Sequence, residues 1–160
     1  MVMQCSRARQ RVIFFTFFKK WLDSGKVVCR ESYVLPQVIT PAETVDTIPH
    51  SLYDAEKDDM NQEERNLINI VVGLDNIRWW HRSMERKDFR VMTEVGKLVL
   101  IEFKGDDRDN SDSRMKLELG RPWQAQAGPN YRYFMVFRNT NLGIDRAYTI
   151  DKFVEIMRNL

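Results

Sequence analysis

Apolar and polar positions in the central part of the chain follow first a helical and then a strand spacing. In residues 61–74 the apolar positions recur every three or four residues, and Asn61 stands where a helix N-cap is expected. Strand patterns follow at 76–82 and at 88–105, and the second of these contains a turn at 94–96. The pattern predicts one helix followed by three strands.

The C-terminal part of the chain continues the alternation of elements. Residues 112–119 are predicted to form a helix that Gly120 ends, and Pro122 is predicted to open a second short helix. The segment 131–137, "YRYFMVF", predicts a strand, and a closing amphipathic helix begins at Asp151 as its cap. The order helix, three strands, helix, strand, helix indicates a mixed α/β fold.

The N-terminal residues have a different character. Basic residues precede aromatic residues at helical spacing, which favours an amphipathic helix ending at Gly25 over a targeting peptide, because the apolar stretch is short and interrupted by lysines. Three prolines between residues 36 and 49 predict an extended connector. We therefore expect an arm or linker at 1–58 and a domain at 59–160.

Composition narrows the functional classes. The chain has 160 residues, 43% of them hydrophobic, and a net charge of +2, so an anionic partner would be bound by a local basic cluster. Cys5 and Cys29 are the only cysteines and form no CxxC pair, which argues against a zinc site and fits a reducing cytoplasm. No apolar run approaches the length that a membrane span needs.

Charged residues stand at the end of the strand in "KLVLIEFKGDD". Glu102 and Lys104 are two residues apart and therefore share one face of that strand. Asp88 begins the preceding strand, and the turn at Gly96 would bring it near Glu102. Two carboxylates suit Mg²⁺, and Lys104 would steer a water for phosphodiester cleavage. The alternative is an ordinary salt bridge at a strand end.

Basic residues surround this position in the sequence. Lys and Arg side chains that neutralise phosphates supply most nonspecific affinity for DNA, although a single basic residue is more often an ordinary solvated surface residue. Lys116 is favoured because its helix should pack beside the strand end. The candidate DNA-binding residues are Arg82, Lys87, Arg114, Lys116 and Arg121.

Four segments together resemble a known family. They are "SLYDAEKDDMNQEE", "IRWWHR", "LIEFKGDDRDNSDSRMKLELGRPW" and "AGPNYRYFMVF", within residues 48–137. In combination they resemble the C-terminal nuclease domain of type III restriction endonucleases, which belongs to the PD-(D/E)xK superfamily. The resemblance implies a restriction-endonuclease-like mixed β-sheet flanked by helices, with an αβββαβ core.

The resemblance also assigns roles to individual residues. It maps the second acid of the family motif onto Glu102 and the lysine onto Lys104, and it implies the Phe103 carbonyl as a further metal ligand. The lysine of the following helix maps onto Lys116. The supporting acid of the first helix maps onto Glu63 or Glu64.

The chain departs from the family before its first acid. The family has a longer segment there that ends in a Tyr-Pro-Asp-Phe-like motif, and this chain has Lys87 in place of the proline. Either Asp88-Phe89 is a shortened remnant of that motif, or the motif aspartate has been lost.

The resemblance therefore implies a Mg²⁺-dependent, site-specific endonuclease domain that cuts duplex DNA in the cytoplasm. Its partners would be an ATP-driven helicase motor, which this chain lacks, and a modification and specificity subunit. Residues 1–58 would be the part that joined the motor. Two alternatives are a catalytically decayed fold that binds DNA or mediates assembly, and a junction-type repair nuclease.

Overall fold

A computed structural model of the chain describes residues 20, 22–25, 44–45, 48–53, 56–57, 60–83, 88–106 and 111–160. The predicted N-terminal helix and connector lie almost entirely outside these residues, and so do Cys5, Cys29 and the predicted boundary at residue 58. Leu22, which is described, is buried, and its carbonyl oxygen accepts a hydrogen bond from Gln126.

The described residues form two sheets and three helices. In chain order the elements are β1 (Thr44–Val45), β2 (Glu56–Lys57), α1 (Gln62–Val72), β3 (Ile77–Arg82), β4 (Phe89–Thr93), β5 (Leu98–Lys104), α2 (Ser111–Ala127), β6 (Tyr131–Phe137), β7 (Ala147–Thr149) and α3 (Ile150–Arg158). Strands β1 and β2 pair with each other, and the other five form a sheet in the order β3-β4-β5-β6-β7. The fold is mixed α/β, as the sequence predicts.

The five-stranded sheet combines both kinds of pairing. Strands β3, β4 and β5 pair antiparallel, whereas β5–β6 and β6–β7 pair parallel. Gly96 adopts a φ of 78° in the turn between β4 and β5, a conformation that favours glycine. The Thr93 hydroxyl accepts the Lys97 N–H at 3.0 Å in the same turn, which fixes how β4 and β5 are aligned.

Hydrophobic side chains cover both faces of this sheet. On one face, side chains of β3 to β6 pack against α1 and α3 in the main core, whose members include Trp80, Phe89, Ile101, Leu67 and Phe153. On the other face, Leu117 of α2 packs against Met135 and Phe137 of β6. Alternation along each strand assigns successive residues to these two faces.

Helix caps agree only in part with the prediction. Asn61 is the N-cap of α1 as predicted: its side chain accepts the Glu64 N–H at 2.8 Å, and the Glu64 carboxylate accepts the Asn61 N–H at 3.1 Å. The prediction for α3 is wrong, because Thr149 is its N-cap and Asp151 lies in the first turn. A carboxylate in that turn still suits the helix dipole.

Helix α2 is continuous where the sequence predicts two helices. It runs from Ser111 to Ala127, past Gly120 and through Pro122. Proline has no N–H to donate to the carbonyl four residues earlier in a helix, and here that earlier residue is exposed, where the loss is least costly. Packing of Leu117 on β6 supports the helix through this point.

Residues before position 58 contribute to the same core as the residues after it. Ile48 is buried, and Ser51 pairs with Trp80 of β3 in a parallel bridge. The Trp80 backbone N–H donates to the His50 carbonyl at 2.9 Å, and its indole N–H donates to the Pro49 carbonyl, also at 2.9 Å. The segment 48–53 therefore extends the sheet beyond β3.

A buried ion pair joins α1 to the end of β3. Arg82 Nη2 lies 3.0 Å from Glu64 Oε2, and the two side chains are 5% and 11% exposed. The Arg82 guanidinium also lies 5.9 Å from the centre of the Phe89 ring. Both charges thus have their partner inside the fold, where a lone charge is costly.

We expect Glu64→Ala to lower the free energy of unfolding by about 3–5 kcal/mol, because it removes one partner of a buried ion pair together with the carboxylate that accepts the Asn61 N–H. Glu63→Ala is the matched control. Glu63 pairs with Arg138, whose side chain is 53% exposed, so its loss should cost about 0–1 kcal/mol. Urea unfolding measures both, and equal losses would contradict the role of the pair.

Candidate active site

The predicted catalytic residues lie at or next to one edge of the five-stranded sheet. Strands β5, β6 and β7 run parallel and end at this edge, where β3 also ends and β4 begins. Glu102 and Lys104 are among the last three residues of β5, and Asp88 directly precedes β4. Open α/β sheets bind ligands outside the carboxyl ends of their parallel strands.

Glu102 is the centre of this edge. Its side chain is 10% exposed, and its Oε1 lies 2.6 Å from the Lys104 ammonium and 2.6 Å from the Lys116 ammonium. Its Oε2 accepts a hydrogen bond from the Tyr133 hydroxyl at 2.8 Å. Groups from β5, α2 and β6 therefore converge on one carboxylate.

The surroundings of Glu102 keep it ionised. Burial raises the pKa of the Glu102 carboxyl, but the hydrogen bonds and charges of Lys104 and Lys116 outweigh burial and hold that pKa below its ordinary value. At neutral pH the group is a carboxylate with two cations beside it. Such a group can bind a cation or hold an ammonium in a fixed orientation.

The strand register brings Asp88 opposite Glu102. Phe89 pairs with Ile101 in the antiparallel ladder, so the next position aligns Asp88 with Glu102. The β3–β4 ladder also reaches Asp88, because the Ser83 N–H donates to the Asp88 carbonyl at 2.8 Å. Residues directly opposite in antiparallel strands project from the same face. Both carboxylates therefore belong to the face that α2 covers.

The Phe103 carbonyl is directed within the sheet towards β4. The Thr93 N–H donates to the Lys97 carbonyl, and the Leu98 N–H donates to the Asn130 carbonyl before β6. Backbone groups alternate in direction along a strand, so the odd-numbered residues of β5 direct theirs towards β4. The carbonyl of Phe103 is thus directed to the side on which Asp88 lies.

The available donors are all oxygen atoms, which fit a Mg²⁺ ion. In the part of the chain that the structure describes, no group of three or more His, Cys, Asp or Glu side chains is arranged to hold a metal. A metal at Glu102 would therefore be held by two carboxylates, one carbonyl and water. Mg²⁺ commonly keeps several waters when protein carboxylates bind it.

The candidate DNA-binding residues separate into three groups. Arg82 is 4% exposed and paired with Glu64, so the prediction that it contacts DNA does not fit its buried position. Arg114 and Arg121 are exposed on α2, whereas Lys116 lies on the side of α2 that faces the sheet and is bound to Glu102. Lys87 lies outside the described residues.

The two acids proposed as supporting groups lie in the first turn of α1. Glu64 completes the helix cap and pairs with Arg82, and Glu63 pairs with Arg138 just after β6. Neither of these contacts reaches Glu102. Their visible role is to hold α1 against the ends of β3 and β6.

Two contributors to this edge have no signal in residue spacing. Tyr133 fits the strand pattern but gives no hint that its hydroxyl reaches Glu102. Asp106 accepts the backbone N–H groups of Asn139 at 2.9 Å and Thr140 at 3.1 Å, which joins the loops after β5 and β6. The Asn139 N–H, first among these contacts, holds the pKa of Asp106 below its ordinary value.

No protein-family model, curated protein or solved structure matches this chain. Among the described residues, no helix has both the length and the apolar character required to cross a membrane.

We expect the stability of the protein to fall in acid partly through Glu102. A carboxyl whose pKa is lowered in the folded state stabilises the fold above its unfolded pKa, and this contribution is lost as the pH falls through the folded pKa. The free energy of unfolding should thus decline more steeply between neutral and acidic pH in the wild type than in Glu102→Gln.

Urea unfolding at a series of pH values measures these slopes. Glu94→Gln is the matched control, because Glu94 is an exposed acid in the turn between β4 and β5, at the opposite end of these strands, and its slope should equal that of the wild type. A Glu102→Gln slope identical to the wild-type slope would show that Glu102 adds nothing to acid sensitivity.

Proposed function

We propose that this chain is a Mg²⁺-dependent endonuclease domain of the type III restriction enzyme kind, which hydrolyses phosphodiester bonds of duplex DNA. The observation that carries the proposal is the arrangement around Glu102. This buried, ionised carboxylate lies two residues before Lys104, and the β4–β5 register, continued by one position, aligns it with Asp88.

Each residue at the edge has a task in such a reaction. Asp88, Glu102 and the Phe103 carbonyl would hold the ion, which when bound supplies Lewis-acid activation of water and of the phosphate oxygens. Lys104 would orient the attacking water and offset negative charge that develops on the phosphate. Lys116, with a side chain 34% exposed, is the ammonium better able to reach a DNA phosphate.

The architecture supports the same proposal. A helix, three antiparallel strands, a helix and a parallel strand follow in chain order, with helices on both faces of the sheet. This order is compatible with the αβββαβ core that the sequence resemblance implies. A helicase motor, a modification and specificity subunit and a cytoplasmic location belong to this proposal and rest on the sequence resemblance.

A second candidate function is a DNA-binding or assembly module derived from a nuclease. It is favoured by the donors that already surround Glu102: two ammonium groups on Oε1 and a hydroxyl on Oε2. These groups compensate the buried charge without a metal ion. A chain that had lost its activity could keep this edge intact as part of its fold.

DNA cleavage in the presence of Mg²⁺ or Mn²⁺ separates the two functions. We expect the chain to nick or cut plasmid DNA with either ion and to stop when a chelator is added. Glu102→Gln and Lys104→Ala should each reduce the rate by about 100-fold or more, as is typical when a charge-stabilising or proton-transferring group is removed.

Glu94→Gln serves as the control for cleavage, since it removes an exposed acid from the turn between β4 and β5, at the opposite end of these strands, and should leave the rate unchanged. Cleavage that survives the chelator, or that Glu102→Gln retains in full, contradicts the proposed site. Absence of cleavage together with DNA affinity insensitive to chelator and to Lys104→Ala supports the binding module.

The nuclease and the DNA-binding module both predict DNA contact by the exposed side of α2. Arg114 and Arg121 are seven residues apart, so they lie on one side of the helix. Replacing both by alanine should weaken DNA binding and reduce the slope of log K against log salt by about 2, one for each lost phosphate contact.

Fluorescence anisotropy at several salt concentrations measures this slope. Arg158→Ala is the matched control, because Arg158 is exposed at the end of α3, on the other side of the sheet. An equal loss in the control would mean that general positive charge, and not this side of α2, binds the DNA.

A further inference from the structure

Tyr133, a residue of β6, lies against α2 and reaches Glu102 of β5. It pairs with Leu100 in the parallel ladder, while Glu102 pairs with Met135 two residues further on. The two side chains are therefore diagonal neighbours on one face of the sheet, a distance that an aromatic side chain can span. The Tyr133 hydroxyl closes that distance and donates to Glu102 Oε2 at 2.8 Å.

Gly120 leaves the space that the Tyr133 ring occupies. A Cβ atom at position 120 would lie 2.3 Å from Cδ1 and 2.8 Å from Cε1 of that ring. Real Cβ atoms do not approach a ring so closely, so any larger residue would force the ring to move. This explains a glycine within α2, where glycine otherwise disfavours a helix.

One stripe of α2 covers both members of the hydrogen bond. Lys116 and Gly120 are four residues apart, so they lie on the same side of the helix. Lys116 contacts Glu102, and Gly120 contacts Tyr133. The helix thus holds a cation over the carboxylate and leaves a gap over the tyrosine.

The two oxygens of Glu102 have different partners as a result. Oε1 receives both ammonium groups, and Oε2 receives a neutral hydroxyl. Without the hydroxyl, the carboxylate could turn and present either oxygen to a cation. A neutral donor fixes the orientation and leaves the negative charge in place.

We infer that Tyr133 is the positioning residue of Glu102: its hydroxyl turns the carboxylate so that Oε1 is the oxygen that meets a cation, and Gly120 admits the ring that does this. The role of this cation as a catalytic metal rests on the proposed function. The orientation itself concerns the chain alone and can be tested without DNA cleavage.

The test compares Tyr133→Phe with the wild type in two measurements. Electron paramagnetic resonance gives the affinity for Mn²⁺, which we expect to weaken on the order of 10-fold, as for other groups that orient a metal ligand. NMR gives the exchange rate of the ammonium protons of Lys104 and Lys116 without metal, which should rise because the carboxylate no longer holds one orientation.

Tyr148→Phe is the matched control, because it removes another tyrosine hydroxyl that donates to a carboxylate, that of Asp145 at 2.9 Å. It should change neither measurement. Gly120→Ala should act like Tyr133→Phe through displacement of the ring. If Gly120→Ala fails to fold, Tyr133→Phe still decides, since it removes only one oxygen atom.

The outcomes distinguish this inference from the proposed function. Unchanged ammonium exchange in Tyr133→Phe overturns the positioning role, even if wild type binds Mn²⁺ and cuts DNA. Faster exchange in Tyr133→Phe supports it, even if wild type binds no Mn²⁺, and in that case only the nuclease proposal fails. Where wild type does bind Mn²⁺, equal affinity in Tyr133→Phe also counts against the positioning role.

Discussion

The buried charge of Glu102 is the constraint on which this edge of the protein depends. A carboxylate removed from water is costly unless donors surround it. Here the donors come from three elements, with Lys104 on β5 itself, Lys116 on α2 and Tyr133 on β6. The same contacts that compensate the charge also join the helix to the sheet, so the candidate chemistry and the local packing cannot be separated.

The parts of this edge that depend on local spacing could be predicted from the sequence. Alternation along β5 assigns Glu102 and Lys104 to one face, and the turn at Gly96 sets the alignment of β4 with β5. The cap of α1 at Asn61 also follows from a short pattern. Each of these needs only residues that are close in sequence or joined by a tight turn.

The features that depend on tertiary packing could not be predicted in this way. In the sequence, Arg82 has the character of a surface cation. The structure shows that it pairs with Glu64, eighteen residues earlier in the chain. In the sequence, Gly120 indicates the end of a helix. The structure shows that it lies inside α2, against the ring of Tyr133. Strand β7 has only three residues, which is too short for a periodic pattern to reveal, and it is recognised only by its pairing with β6. Secondary-structure propensity is a property of single residues, whereas each of these roles depends on a contact between two parts of the chain.

The turn at Gly96 has a consequence for how the protein can change length during evolution. The turn sets the register of β4 with β5, and this register aligns Asp88 with Glu102. One residue gained or lost there would carry every side chain of β4 to the opposite face, unless a bulge absorbed it. Insertions or deletions before Asp88 leave the register of β4 with β5 unchanged. A change of length at the turn should therefore disturb this face more than a change of length before Asp88.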